Sequence, residues 1–251
     1  MKKEKSVKEQ QNKLFKYRNT EGAMLKRIKD KITYELGKRK NRRLEASWRK
    51  RLKADNFTIL CPNCIGGIIY HRLGKQFLSP TVNLFLSQRD FIKFAVGLEH
   101  YIRQELQFIK TEQPFPVARL DDITLNFNHF GDEKEAAEAW NRRKSRINRE
   151  NIYIIFYYRE KCSIEELREI EKATYKNLIL LTDTPLDLEY AYCIKENVGR
   201  LNSQTFLDQD KYGIRTFEKQ WDFVSWLNEP CGGSAQADKT PGRMPGASGG
   251  G

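Results

Sequence analysis

A chain of 251 residues, 39% of them hydrophobic, is long enough to bury one sizeable core or two small ones. Its net charge of +12 is unevenly placed: residues 1–54 hold 20 Lys and Arg against 6 Asp and Glu, and the rest holds 25 against 27. No run approaches the ~18 apolar residues of a membrane span. Five cysteines with no secretory leader argue against a disulfide framework and for a cytoplasmic protein.

Three segments follow from composition: a basic helical extension (1–54), an α/β core (55–229), and a Gly/Pro/Ser-rich tail (230–251) read as disordered. In the extension, Leu14, Phe15, Met24, Leu25, Ile28, Ile32, Leu36, Leu44 and Trp48 are spaced for one or two amphipathic helices. The plain reading is a solvated helix. Lys and Arg beside aromatic and leucine anchors also suit peripheral contact with an anionic membrane at its inner face. Nucleic acid is the unlikely partner, since basic charge comes here with no recognisable binding module.

In the core, Phe57–Leu60 reads as a first strand, Ile68–Leu73 as a short helix, and 90–109 as a helix with Phe91, Phe94, Ala95, Leu98, Ile102 and Leu106 on one face. Residues 123–129 alternate strictly, predicting a strand that ends on His129. A charged helix follows over 133–147. The continuous apolar runs 151–158 and 177–181 suit strands covered on both faces. Ser163 and Glu166 have capping-box spacing before a helix to about Ala173, and 216–228 reads as a final helix. This alternation predicts an α/β fold, a three-layer αβα core with a mostly parallel sheet.

The most informative stretch is Cys61-Pro62-Asn63-Cys64-Ile65-Gly66-Gly67, a strand–turn–helix corner with a thiol at the helix N-terminus, where a thiolate is favoured. Sites in open α/β sheets form beyond the carboxyl ends of strands, which are followed or ended here by Cys64, His129, Arg159 with Glu160, and Thr182 with Asp183. A Cys64–His129 pair is the minimal unit of thiol nucleophilic catalysis, with Asp183 or Asn128 to orient the imidazole. Gly66 and Gly67 allow close backbone approach, to an oxyanion for example. The plain alternative is a packed thiol and a hydrogen-bonded core histidine.

Cys61-x-x-Cys64 also has the spacing of a redox pair, though no Trp precedes it and the Gly-Gly follows the second Cys. A zinc site lacks a second ligand pair, so no metal is expected, and no other cofactor either. Arg142, Arg143 and Arg146 end a helix; the dipole accounts for cations there, and phosphate binding is the sharper reading. No GxGxxG, GxxxxGK[ST], GxSxG, HExxH or DxD occurs.

Residues 63–70 (NCIGGIIY), 78–85 (LSPTVNLF), 90–94 (DFIKF), His129, 140–148 (WNRRKSRIN) and 226–228 (WLN) together resemble a bacterial family known as the nineteen-nineteen domain-of-unknown-function family, often labelled an exopolysaccharide biosynthesis protein. The resemblance spans about 56–229, leaving the basic extension outside, and it points to Cys64 rather than Cys61 as the family's thiol. It implies a surface-polysaccharide role, read here as a transferase modifying a glycan or its lipid-linked or nucleotide-activated precursor; Asn63 and Asn83 are candidate substrate- or phosphate-binding residues. The alternatives are a non-catalytic glycan- or nucleotide-binding accessory protein, and a thiol-dependent hydrolase.

Overall fold

A computed structural model describes residues 2–158, 162–175, 177–194 and 206–229, with side chains from residue 24 onward. The helices are α1 (Lys2–Arg51), α2 (Ile65–Leu73), α3 (Gln88–Val96), α4 (Leu98–Tyr101), α5 (Glu133–Lys144), α6 (Ile164–Arg168), α7 (Thr216–Gln220) and α8 (Phe223–Leu227). The strands are β1 (Thr58–Leu60), β2 (Gln107–Ile109), β3 (Val117–Leu120), β4 (Ile123–Asn126), β5 (Ile152–Tyr157), β6 (Asn177–Thr182) and β7 (Ala191–Cys193). Arg159, Glu160, Cys231 and the 230–251 tail lie outside the described residues.

The chain forms two compact units. One comprises the residues up to Leu44 with Gln209–Ile214; the other comprises Glu45–Asp208 and the residues from Arg215 on. The basic segment is one continuous helix, and the unit boundary falls inside it, ahead of the expected core start at residue 55. In the first unit the Asn41 amide donates to the carbonyls of Gly37 and Tyr212 at 3.0 and 2.6 Å. Met24, Leu25, Ile28, Ile32 and Leu36 stay exposed along α1. No described helix is long and apolar enough to cross a membrane.

The second unit is built on a four-stranded parallel sheet in the order β1-β5-β6-β7. Its central strands are the two continuous apolar runs, buried on both faces as such composition requires. Leu60, Ile152, Ile154, Phe156 and Leu180 join the core shared with α3 to α6. On the opposite face Tyr153 packs edge-on against Trp226 of α8 and donates to the Leu227 carbonyl at 2.7 Å, while Tyr70 of α2 donates to Phe57 O and accepts from Ile59 N–H. Helices thus cover both sides of a mostly parallel sheet, as the alternating pattern predicts.

Several elements differ from expectation. Residues 123–129 do not enter the parallel sheet: β4 stops at Asn126 and pairs in a separate antiparallel sheet, β2-β3-β4. The expected 90–109 helix breaks at Gly97 and ends with α4; its tail is β2. The expected 216–228 helix is two, because Trp221 is extended and the Asp222 carboxylate restarts the chain by accepting from Ser225 N–H. The Ser163–Glu166 capping box is present, but α6 passes into a 3₁₀ turn, Glu169–Lys172.

The segment 79–86 positions the site. Phe85 and Asn126 exchange backbone hydrogen bonds of 2.9 and 3.0 Å, which fixes the end of β4 to this segment. Leu86 N–H donates to Pro62 O at 3.1 Å, and Cys61 N–H to the Thr81 hydroxyl at 3.1 Å. A single stretch therefore carries both the cysteine turn and the approach to His129.

Candidate thiol–imidazole site

The cysteine turn is ordered by Asn63. Its Oδ1 accepts from Ile65 N–H at 2.9 Å, satisfying an orphan donor of α2, and from the Cys61 thiol at 3.0 Å. Asn63 is 7% exposed, and its Nδ2 is buried with no partner among the described residues. Cys61 is 1% exposed, and burial pushes its thiol up to about 12, so it is a packing residue held neutral. Cys61 and Cys64 are both free thiols.

Cys64 stands immediately before α2 and is half-buried. Its Sγ lies 3.2 Å from His129 Nε2, which is hydrogen-bond distance for a thiol and an imidazole. The two residues reach each other from different sheets: Cys64 beyond the end of parallel β1, His129 from the turn after antiparallel β4. His129 is exposed and stands between two buried rings, Phe127 and Phe130. Burial pushes the Cys64 thiol up, and the Arg215 guanidinium pulls it back in part. Cys64 is therefore held as the thiol rather than as the thiolate that its place before a helix would favour, because burial outweighs the helix end and Arg215, and its proton lies within reach of His129 Nε2.

Asp183 does not orient His129. It is 3% exposed, its Oδ1 accepts from the Thr184 hydroxyl at 3.2 Å, and its Oδ2 has no partner among the described residues. It follows β6, with β5 between that strand and β1. Asn128 is exposed and is not bonded to the imidazole; among the described residues His129 has Cys64 alone as a hydrogen-bond partner.

Gly66 and Gly67 serve close packing. A Cβ on Gly66 would meet Cys61 Cβ at 3.1 Å and Ile59 Cγ2 at 3.3 Å, and one on Gly67 would meet Val82 Cγ1 at 3.1 Å and Asn83 Oδ1 at 3.4 Å. The first glycine lets α2 descend onto β1, and the second lets the 79–86 segment close over α2. Asn83 makes that approach from a left-handed backbone, φ 64°, which asparagine tolerates better than most residues.

The three arginines of α5 and its end separate. Arg142 is exposed, Arg146 is half-buried and Arg143 is buried. Arg143 Nη1 donates to Val82 O at 2.6 Å, so it braces the segment that contacts Gly67.

Arg215 was not anticipated from sequence. It precedes α7, and Glu218 holds it by accepting from Arg215 N–H at 2.7 Å. Glu218 is itself gripped by Arg72 of α2 through bonds of 2.6 and 3.0 Å, and Arg72 also reaches Glu45 at 2.9 Å. The helix that begins at Cys64 is thereby tied at its far end to the element presenting Arg215. The stretch around Glu218, residues 215–222 (RTFEKQWD), is mostly polar and carries no local signal for a buried ion pair. Among the described residues no three His, Cys, Asp or Glu side chains converge as a metal-ligand set.

Comparison with known proteins places the chain. An uncharacterized protein of Haemophilus influenzae strain Rd is 29% identical over 199 residues, 79% of this chain and 97% of the relative. The family described as "Domain of unknown function (DUF1919)" matches residues 36–228, beginning within the basic helix rather than after it. With its parallel sheet, its cysteine turn and the helix that precedes them inside that match, the chain belongs to the DUF1919 family.

Proposed function

We propose that the protein is a thiol-dependent transferase of bacterial surface-polysaccharide assembly, moving an acyl group from an activated donor to a hydroxyl of a glycan or its precursor. The 3.2 Å contact between Cys64 Sγ and His129 Nε2 carries this reading. Nε2 takes the thiol proton as sulfur attacks the acyl carbonyl carbon. The donor's leaving group departs with that proton, and a thioester remains on Cys64. An acceptor hydroxyl then gives its proton to Nε2 while its oxygen attacks the thioester; the C–S bond breaks and sulfur recovers the proton. The Arg215 charge favours the negative charge that develops at sulfur. The glycan acceptor rests on the family resemblance. A cytoplasmic location at the inner membrane face is supported by the exposed Leu25, Ile28, Ile32 and Leu36 on a basic helix, which suit a peripheral contact with anionic lipid.

The test uses p-nitrophenyl acetate as acyl donor, with the adduct located by peptide mass spectrometry. Acetylation should map to Cys64, vanish in Cys64→Ser, and slow by about 10²- to 10⁴-fold in His129→Ala. Passage of the acetyl group to added sugar hydroxyls rather than to water separates transferase from hydrolase. A Cys64 that stays unmodified, or that reacts equally well without His129, overturns the reading and favours a non-catalytic glycan- or nucleotide-binding protein.

A further inference from the structure

Arg143 is a buried cation without a counterion among the described residues. It is 8% exposed, and its guanidinium carbon lies 5.4 Å from the Phe77 ring centre and 5.5 Å from that of Phe130, over both rings. Val82 O is its one hydrogen-bond partner among the described residues, and none of their carboxylates stands within ion-pair distance of it. The acid whose charge acts on it, Glu135, accepts from Gly131 N–H at 3.0 Å. Burial and the neighbouring charges of Arg142 and Arg146 all make Arg143 hold its proton less tightly than an ordinary arginine.

The contrast with Arg72 is instructive, because the two are equally buried at 8%. Arg72 has two carboxylate partners, Glu218 and Glu45. That is the usual condition for a buried structural arginine, since a desolvated charge is costly unless paired. Aromatic faces and one carbonyl compensate Arg143 only in part, and none of its nitrogens is buried without a partner, so the edge of the guanidinium not bonded to Val82 O keeps contact with solvent. The dipole at the end of α5 accounts for Arg142 and Arg146 at the surface, but not for a cation turned into the core.

Its location ties it to the thiol–imidazole pair. Phe130, under the guanidinium, follows His129 directly. Val82, which accepts from it, is the residue that packs with Asn83 against Gly67 in the first turn after Cys64. We infer that Arg143 anchors an anion-binding subsite, and that the anion is a phosphate group of the donor that delivers its acyl group to Cys64. A planar guanidinium with its faces covered by rings offers its edge, and the edge is what pairs with two phosphate oxygens. The identity of the donor rests on the reading of Cys64 as nucleophile. The anion subsite does not.

Calorimetric titration of the full chain with pyrophosphate tests this. Saturable one-site binding is expected, retained in Arg142→Gln/Arg146→Gln and in Cys64→Ser, and weakened at least tenfold in Arg143→Lys, which keeps the charge and loses the fork. Absence of saturable binding in the wild-type chain at millimolar pyrophosphate overturns the subsite. So does binding that disappears with Arg142 and Arg146 while Arg143→Lys retains it. Should Arg143→Lys fail to fold, the Arg142→Gln/Arg146→Gln chain decides alone: retained binding supports a buried anchor, and lost binding refutes it. Failure of Cys64 acylation with pyrophosphate binding intact would remove the transferase and leave the subsite standing.

Discussion

The pair between Arg72 and Glu218 should be the most costly ion pair to break in the second unit. Arg72 donates to both carboxylate oxygens, at 2.6 and 3.0 Å, and Glu218 is 2% exposed. Removing one member of such a pair leaves a desolvated charge, which costs about 3–5 kcal/mol. Arg72→Met should fall near the lower end, about 3 kcal/mol, because Arg215 stands 3.6 Å from Glu218 and offers a substitute cation. That substitution has a functional consequence. As Arg215 turns to Glu218 its charge leaves Cys64, and the thiol, already raised by burial, rises further. Urea unfolding followed by tryptophan fluorescence gives the first quantity, and the pH profile of Cys64 alkylation gives the second. The double variant Arg72→Met/Glu218→Leu should recover much of the loss by removing the orphaned carboxylate, short of about 1 kcal/mol for the hydrogen bond Glu218 accepts from Arg215 N–H at the start of α7. A cost for Arg72→Met below about 1 kcal/mol, typical of an exposed pair, would refute the argument. So would a double variant no more stable than the single one.

Gly66→Ala tests the close approach of α2 to β1. Alanine gains about 1 kcal/mol of helix propensity over glycine, but its methyl group would meet the Cβ of Cys61 and the Cγ2 of Ile59, neither of which can swing away. Net destabilisation is expected, since overpacking costs about 1–3 kcal/mol; the melting temperature checks the sign. Asp222 supplies an acid-range test. Burial works to raise its carboxyl, but hydrogen bonds from Arg51 and Ser225 outweigh it and hold the folded value below the usual one. A group depressed in this way adds stability that is complete above its unfolded value of about 4 and is lost as pH falls through the lower folded value. Asp222→Asn should therefore reduce stability at neutral pH and flatten its decline on acidification; parallel wild-type and variant curves in the acid range would exclude the contribution.

The sequence disclosed those elements whose periodicity answers to their own burial. β5 and β6 are continuous apolar runs because both faces are covered, and their positions were legible to within a residue at each end. The antiparallel sheet was hidden for the opposite reason. Its strands run three or four residues, and Ile102 and Leu106 prolonged the spacing of α3 past Gly97 into what is turn and β2. The pairing of Cys64 with His129 follows from the rule that sites gather at the carboxyl ends of parallel strands, yet His129 arrives from the turn after β4, outside that sheet. They meet because segment 79–86 pairs with Asn126 and also bonds to Pro62, a long-range arrangement with no local signature.

Arg143 differs from these, because its signal was present and was covered by a simpler explanation. Ala136, Ala139, Trp140, Arg143 and Ile147 follow the spacing i, i+3, i+4, i+7, i+11, one stripe that faces the core. Read by composition, residues 140–148 are a basic helix end in which any arginine suits the dipole. Read by position, one of its arginines lies on the buried stripe, and a buried cation asks for an acid, a ring or a ligand. Two rings are there, and among the described residues an acid is not. A charge of this kind is legible only when the helical face is assigned before the charges are counted. Arg72 obeys the same rule: it lies on the mostly buried α2, and it proves to be half of a pair formed with Glu218 across 146 residues of chain.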